Sequence, residues 1–182
     1  MFFDNTPTHP GHTPEIERTS VTDRTIEQRV ADLERIEAIK ALKHRYLRAC
    51  DAKDADTFRA CFVDRGALID YGPLGRFDDA DPIAEVFRNI ALQKVHGRHV
   101  ILDMHHAFHP DITLRGDDLA DGKWTLAFRQ VNLVDNTETI RSIEYVDEYV
   151  VENGEWKMSK CQSVTLWSMT RPLAEGTVVT EG

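Results

Sequence analysis

The chain has 182 residues, 41% of them hydrophobic and 29% charged, with a formal net charge of −9. That length fits one domain able to bury roughly 70% of its unfolded surface. The acidic balance excludes a nucleic-acid partner, which needs a basic face. The lack of any apolar run near ~20 residues excludes a membrane-spanning segment. Residues 1–22, rich in Pro, Thr, His and Asp, show almost no apolar periodicity and are expected to form a flexible N-terminal extension. They show no basic stretch followed by an apolar block, so no secretory signal is expected there. His9 and His12 lie in this segment without a third metal ligand nearby.

From Thr25 the pattern becomes helical. Ile26, Val30, Leu33, Ile36, Ile39, Leu42, Tyr46 and Ala49 recur at three- and four-residue steps, which predicts one long helix with a single buried stripe. Lys53-Asp54-Ala55-Asp56 interrupts it, and Asp54 or Asp56 can cap a short second helix carrying Phe58 and Phe62. Residues 67–72 read as a strand ended by Gly72-Pro73, and Asp81-Pro82 opens a third helix with Ile83, Val86, Phe87 and Ile90 on one side. Strands are then expected near 98–106, 109–115, 122–134, 138–151 and 155–168, separated by turns at 115–118, 135–136 and 152–154. Three helices followed by an antiparallel meander predict an α+β fold: a curved antiparallel sheet with the three N-terminal helices packed on it. A sheet curved in this way encloses a cone whose hollow is the natural ligand site. The domain is expected over 23–169, with a tail at 170–182 long enough to close over the cavity as a lid.

Cys50, Cys61 and Cys161 are odd in number and show no metal spacing, so they are read as buried thiols in a reduced cytoplasm. A nucleophilic cysteine is the lesser alternative. His99, His106 and His109 lie near His105 without a glutamate or cysteine companion at a recognised spacing, and no metal is expected. Trp124, Phe128, Tyr145, Trp167 and Met169 are candidates for pocket wall, core or oligomer contact.

The segments EAIKALKHRYLRACDAKD, DTFRACFVDRGALIDYG, the Met104-His105-His106 strand and YVDEYVVENGEWKMSKCQ together resemble the SnoaL-like branch of the NTF2-like superfamily. The resemblance covers roughly residues 30–168 and is more specific for the cone fold than for activity. It is nearest to bile-acid 7α-dehydratase, through the run I-E-A-I-K, then L-K, then Tyr, then Asp five residues on. It implies catalytic roles for Tyr46, Asp51 and His105, no cofactor, a small hydrophobic cyclic substrate and a homo-oligomer, either trimer or dimer. Two departures stand out. An acidic residue of the dehydratase pocket would fall near Phe128, and the second catalytic histidine of scytalone dehydratase has no match.

The chemistry suits these residues. Histidine titrates near neutrality and can act as base, a carboxylate on its other nitrogen holds the tautomer, and a phenol can donate to a carbonyl as charge develops. On a regular helix Tyr46 and Asp51 lie about 140° apart, so their convergence requires Asp51 to sit past the last regular turn. On a strand His105 and His106 point to opposite faces, and the resemblance favours His105 for the cavity. Two alternatives remain open. A ketosteroid isomerase-like isomerase or polyketide cyclase would use Tyr46 with Asp70 as base and a neutral Asp147. A non-catalytic family member would use the cone only to bind a small ligand.

Overall fold

The computed structural model describes residues 24–181. The expected N-terminal extension, with His9 and His12, lies outside the described residues. Helix α1 spans Ile26–Ala52; Thr25 caps it through a reciprocal pair of bonds with Gln28, and Lys53 closes it in the left-handed conformation at φ 59°. Helix α2 spans Ala55–Ala60 behind the Asp54 cap, and α3 spans Ala80–Ala91 behind Asp79. The strands are β1 Leu68–Asp70, β2 Arg76–Phe77, β3 Lys94–Val95, β4 Arg98–His99, β5 Ile101–Leu114, β6 Leu119–Asn132, β7 Thr137–Glu152 and β8 Glu155–Pro172.

Six strands form one curved sheet in the order β2-β1-β8-β7-β6-β5, and β3 with β4 makes a separate hairpin. All pairs in the sheet are antiparallel except β1 with β8. The two strands expected at 98–106 and 109–115 are largely one strand. His109, at φ 51°, and Pro110 form a bulge between Phe108 and Asp111. Proline donates no ladder hydrogen bond, and a bulge removes it from the ladder without ending the strand. His99 belongs to the hairpin, so it does not share an uninterrupted strand with His105.

The three helices pack on one face of the sheet, and the core lies between. Alternate residues Trp124, Leu126 and Phe128 of β6, with Ile143, Tyr145 and Tyr149 of β7, face Ile39, Leu42, Tyr46, Phe58 and Phe62. The predicted stripe of α1 is buried only in its C-terminal half. Ile26, Val30 and Leu33 are 71%, 47% and 62% exposed and stand outside the core cluster. Gly122 is required where it stands, since a Cβ there would come within 2.7 Å of the Tyr149 ring.

The periodicity conceals one buried charge. Lys43 is fully enclosed, with its ammonium 2.7 Å from Asp147 Oδ2 and 3.6 Å from the Tyr145 ring centroid. The Tyr149 hydroxyl donates to the same carboxylate oxygen at 2.7 Å, and Trp124 Nε1 donates to that hydroxyl at 3.0 Å. Removing one partner strands the other charge without water, at a cost of about 3–5 kcal/mol. Lys43→Met should therefore lower the unfolding free energy by that amount in urea titrations. Adding Asp147→Asn should cost less than the sum of the two single losses.

Burial also pushes Tyr46, Tyr71, Tyr145 and Tyr149 well above the ordinary phenol value, the charges of neighbouring groups acting after it. A phenol whose folded value is raised stabilises the fold below the unfolded value, near pH ~10, and that contribution is lost as pH rises further. Phenolate absorbance in an alkaline titration should therefore appear together with unfolding, not in a separate earlier step.

Candidate functional site

The helix does not end before Asp51. Asp51 lies in the last turn of α1, and the expected bend past the regular turn is absent. Tyr46 and Asp51 accordingly keep their separation around the helix and meet different partners. Asp51 faces β5, the edge strand of the sheet, while Tyr46 faces the core.

Asp51 and His105 are in direct contact. Asp51 Oδ1 lies 2.6 Å from His105 Nδ1, and the backbone N–H of His105 donates to both carboxylate oxygens at 3.1 and 3.2 Å. Since an ionised carboxylate only accepts, this contact favours a proton on Nδ1, and in the neutral ring Nε2 then carries the lone pair. The side chains of His105 and Asp51 are 14% and 34% exposed, so the pair is neither sealed in the core nor freely solvated. A carboxylate in the last turn of a helix opposes the macrodipole, which costs about 0.3–1 kcal/mol. The N–H donors of His105 offset that placement. A second link between the same elements lies two residues away: Lys53 Nζ is 3.6 Å from Asp103 Oδ2, and Gln130 Nε2 donates to Asp103 Oδ1 at 2.9 Å.

The Tyr46 hydroxyl lies 2.8 Å from that of Tyr71, and its ring packs against Phe58, Phe62 and Tyr145. Among the described residues no hydrogen bond joins it to Asp51 or His105. The Tyr71 hydroxyl approaches Cys161 Sγ at 3.7 Å. Burial pushes Tyr46 upward, so its phenol is a proton donor and not a base. Asp70 pairs with Arg76 Nε at 2.8 Å and accepts from the Gly72 N–H at 3.0 Å. Its carboxylate is held by two donors at the end of β1.

The sheet register puts His105, Phe128, Arg141 and Ser168 in one row on the inner face. The imidazole centroid is 4.8 Å from the Phe128 centroid, and the Arg141 guanidinium carbon is 5.6 Å from the same ring. Sequence reasoning missed both Arg141 and Lys43. A charged residue within a strand or a helical stripe carries no mark of the face it will occupy until the register is known. His106, the neighbour of His105, points to the outer face with Met104 and Phe108, where the exposed Trp167 and Met169 also lie.

These features define a member of the NTF2-like class, an α+β cone with a carboxylate–imidazole contact where α1 meets the edge strand. The SnoaL-like domain profile matches residues 31–162, and the chain belongs to that family. Solved structures share the fold. A protein of Novosphingobium aromaticivorans, provisionally named a scytalone dehydratase, superposes with a TM-score of 0.68 at 17% identity, covering 82% of this chain and 98% of that one. The hexachlorocyclohexane dehydrochlorinase of Novosphingobium barchaimii gives 0.68 at 18% identity, over 84% and 99%. A protein of unknown function from Mycobacterium tuberculosis gives 0.61 at 18% identity, over 73% and 77%. A comparison with curated proteins found no match. No described helix is long and apolar enough to cross a membrane.

The cysteines have the environment of core residues. Burial, with the charge of Asp51 acting after it, pushes the Cys50 thiol up. Burial brings Cys161 to about 12 even with Lys43 beside it, and also raises Cys61. Thiols in this state react slowly, because the thiolate is the nucleophile. A thiol-specific disulfide reagent at a pH of about 8 should label none of the three in the folded protein and all three once denaturant is added.

Proposed function

We propose that this protein is a cofactor-independent lyase of dehydratase type, acting on a small hydrophobic cyclic substrate within the cone. The observation that carries the reading is the 2.6 Å contact between Asp51 and His105. In the proposed reaction His105 Nε2 removes a proton from the carbon beside a carbonyl, and the electron pair moves toward that carbonyl oxygen. The pair then returns to form the carbon–carbon double bond as the hydroxyl on the adjacent carbon takes the proton from the His105 imidazolium and leaves as water, which restores the neutral base. Asp51 holds the imidazole and balances the imidazolium charge that forms. Tyr46, bonded to Tyr71 and kept protonated by burial, is the donor this reading assigns to the carbonyl oxygen as charge develops on it. The dehydratase and dehydrochlorinase names of structural relatives agree with an elimination, in which a base takes a proton next to a leaving group.

The isomerase or cyclase reading is less well supported. Asp70 is tied to Arg76 and to the Gly72 N–H at the end of β1, and Asp147 is bound inside the core by the Lys43 ammonium and the Tyr149 hydroxyl, so neither faces the His105 row. A purely ligand-binding role accounts for the backbone bonds from His105 to Asp51 and gives no use to the hold on the imidazole Nδ1. The exposed Met104, Phe108, Trp167 and Met169 on the outer sheet face suit burial against a second copy, so a homo-oligomer forms part of the proposal. Three unpaired buried thiols suit a reducing compartment such as the cytoplasm.

A panel of cyclic β-hydroxy ketones, followed by the growth of enone absorbance, tests the chemistry. His105→Ala and Asp51→Asn should each lower turnover by about 100-fold or more. Tyr46→Phe should have a smaller effect. Turnover within a few-fold of wild type in His105→Ala would sink the proposal.

A further inference from the structure

Arg141 is the one arginine of the six-stranded sheet without an acidic partner, among the described residues. Arg76 is held by Asp70, and Arg129 and Arg171 are both held by Glu138. Arg141 is half-buried on the inner face, in the same cross-strand row as His105, with Phe128 between them. Its guanidinium lies over the Phe128 ring, and the imidazole of His105 approaches that ring as well. A charge in such a place, in a protein whose formal net charge is −9, has carboxylates available elsewhere on the surface yet pairs with none of those described.

We infer that Arg141 is the anchor for a carboxylate on the substrate. The inference rests on His105 being the base, as proposed above, and adds the charge of the molecule it acts on. His105 and Arg141 stand on strands two apart, with the Phe128 ring between them. The guanidinium fork matches a carboxylate through two parallel N–H donors. A neutral substrate leaves the guanidinium without a counter-charge when water is displaced from it.

The test uses benzoate and benzamide, which have nearly the same shape and differ in charge, titrated into the full-length protein and followed by calorimetry or by amide chemical shifts. Wild type should bind benzoate at least tenfold more tightly than benzamide. Arg141→Gln should abolish that preference while leaving the benzamide affinity unchanged, and Arg141→Lys should keep part of it. His105→Ala should keep the preference in full, because binding the carboxylate does not require the base. Loss of turnover on the hydroxy-ketone panel can thus be told apart from loss of the anchor. Equal affinities for the two probes in wild type, a preference that survives Arg141→Gln, or no binding of either probe would overturn the inference. Arg141 is half-exposed on a strand, so the Gln variant should fold, and an unchanged melting profile checks this.

Discussion

The contact between Lys43 and Asp147 governs how α1 lies on the sheet, and the rest of the site depends on that placement. An ammonium enclosed among Tyr145, Tyr149 and the carboxylate of Asp147 has one low-energy position, since any other leaves a charge dry and unpaired. It pins the rotation of α1 against the middle strands. Asp51 lies eight residues further on, about 80° around the helix axis, and is carried past the sheet centre to the edge strand β5. Tyr46, three residues after Lys43, is turned into the aromatic core.

That geometry gives Asp51 two tasks at once. It satisfies the free backbone N–H of His105 on an edge strand, where such donors otherwise invite pairing with another chain. It also holds the imidazole by Nδ1. A carboxylate at the negative end of a helix is a poor choice for stability by itself. Its presence there makes sense once the histidine it orients is counted.

The inner face of the sheet changes character along the strands. Trp124, Leu126, Ile143 and Tyr145 are buried in the core, whereas the row of His105, Phe128, Arg141 and Ser168 brings polar groups to the same surface. His105 sits where these two environments meet. That position suits the proposed role of base, with enough water excluded to strengthen its interactions and enough access for a substrate to reach it.

Much of this was legible in the residues. The Asp54 cap of α2, the strand–turn rhythm and the α+β class followed from local pattern, whereas α3 opens two residues before the expected Asp81-Pro82, behind Asp79; family motifs singled out Tyr46, Asp51 and His105. Local pattern placed the buried stripe of α1 too early, because Ile26, Val30 and Leu33 have the right spacing but lie outside the core of the described residues. It split β5 in two at His109-Pro110, where a bulge lets the strand continue. It could not assign Lys43 to the core or Arg141 to the inner row, because the side a charge faces is set by packing and register between distant segments. By itself, then, the sequence determined which elements form and which residue types could do acid–base chemistry, since both rest on short-range periodicity and side-chain chemistry. Only the tertiary structure decided that Asp51 meets His105 while Tyr46 meets Tyr71, because that choice depends on the rotation of one helix over a sheet whose strands lie far away along the chain.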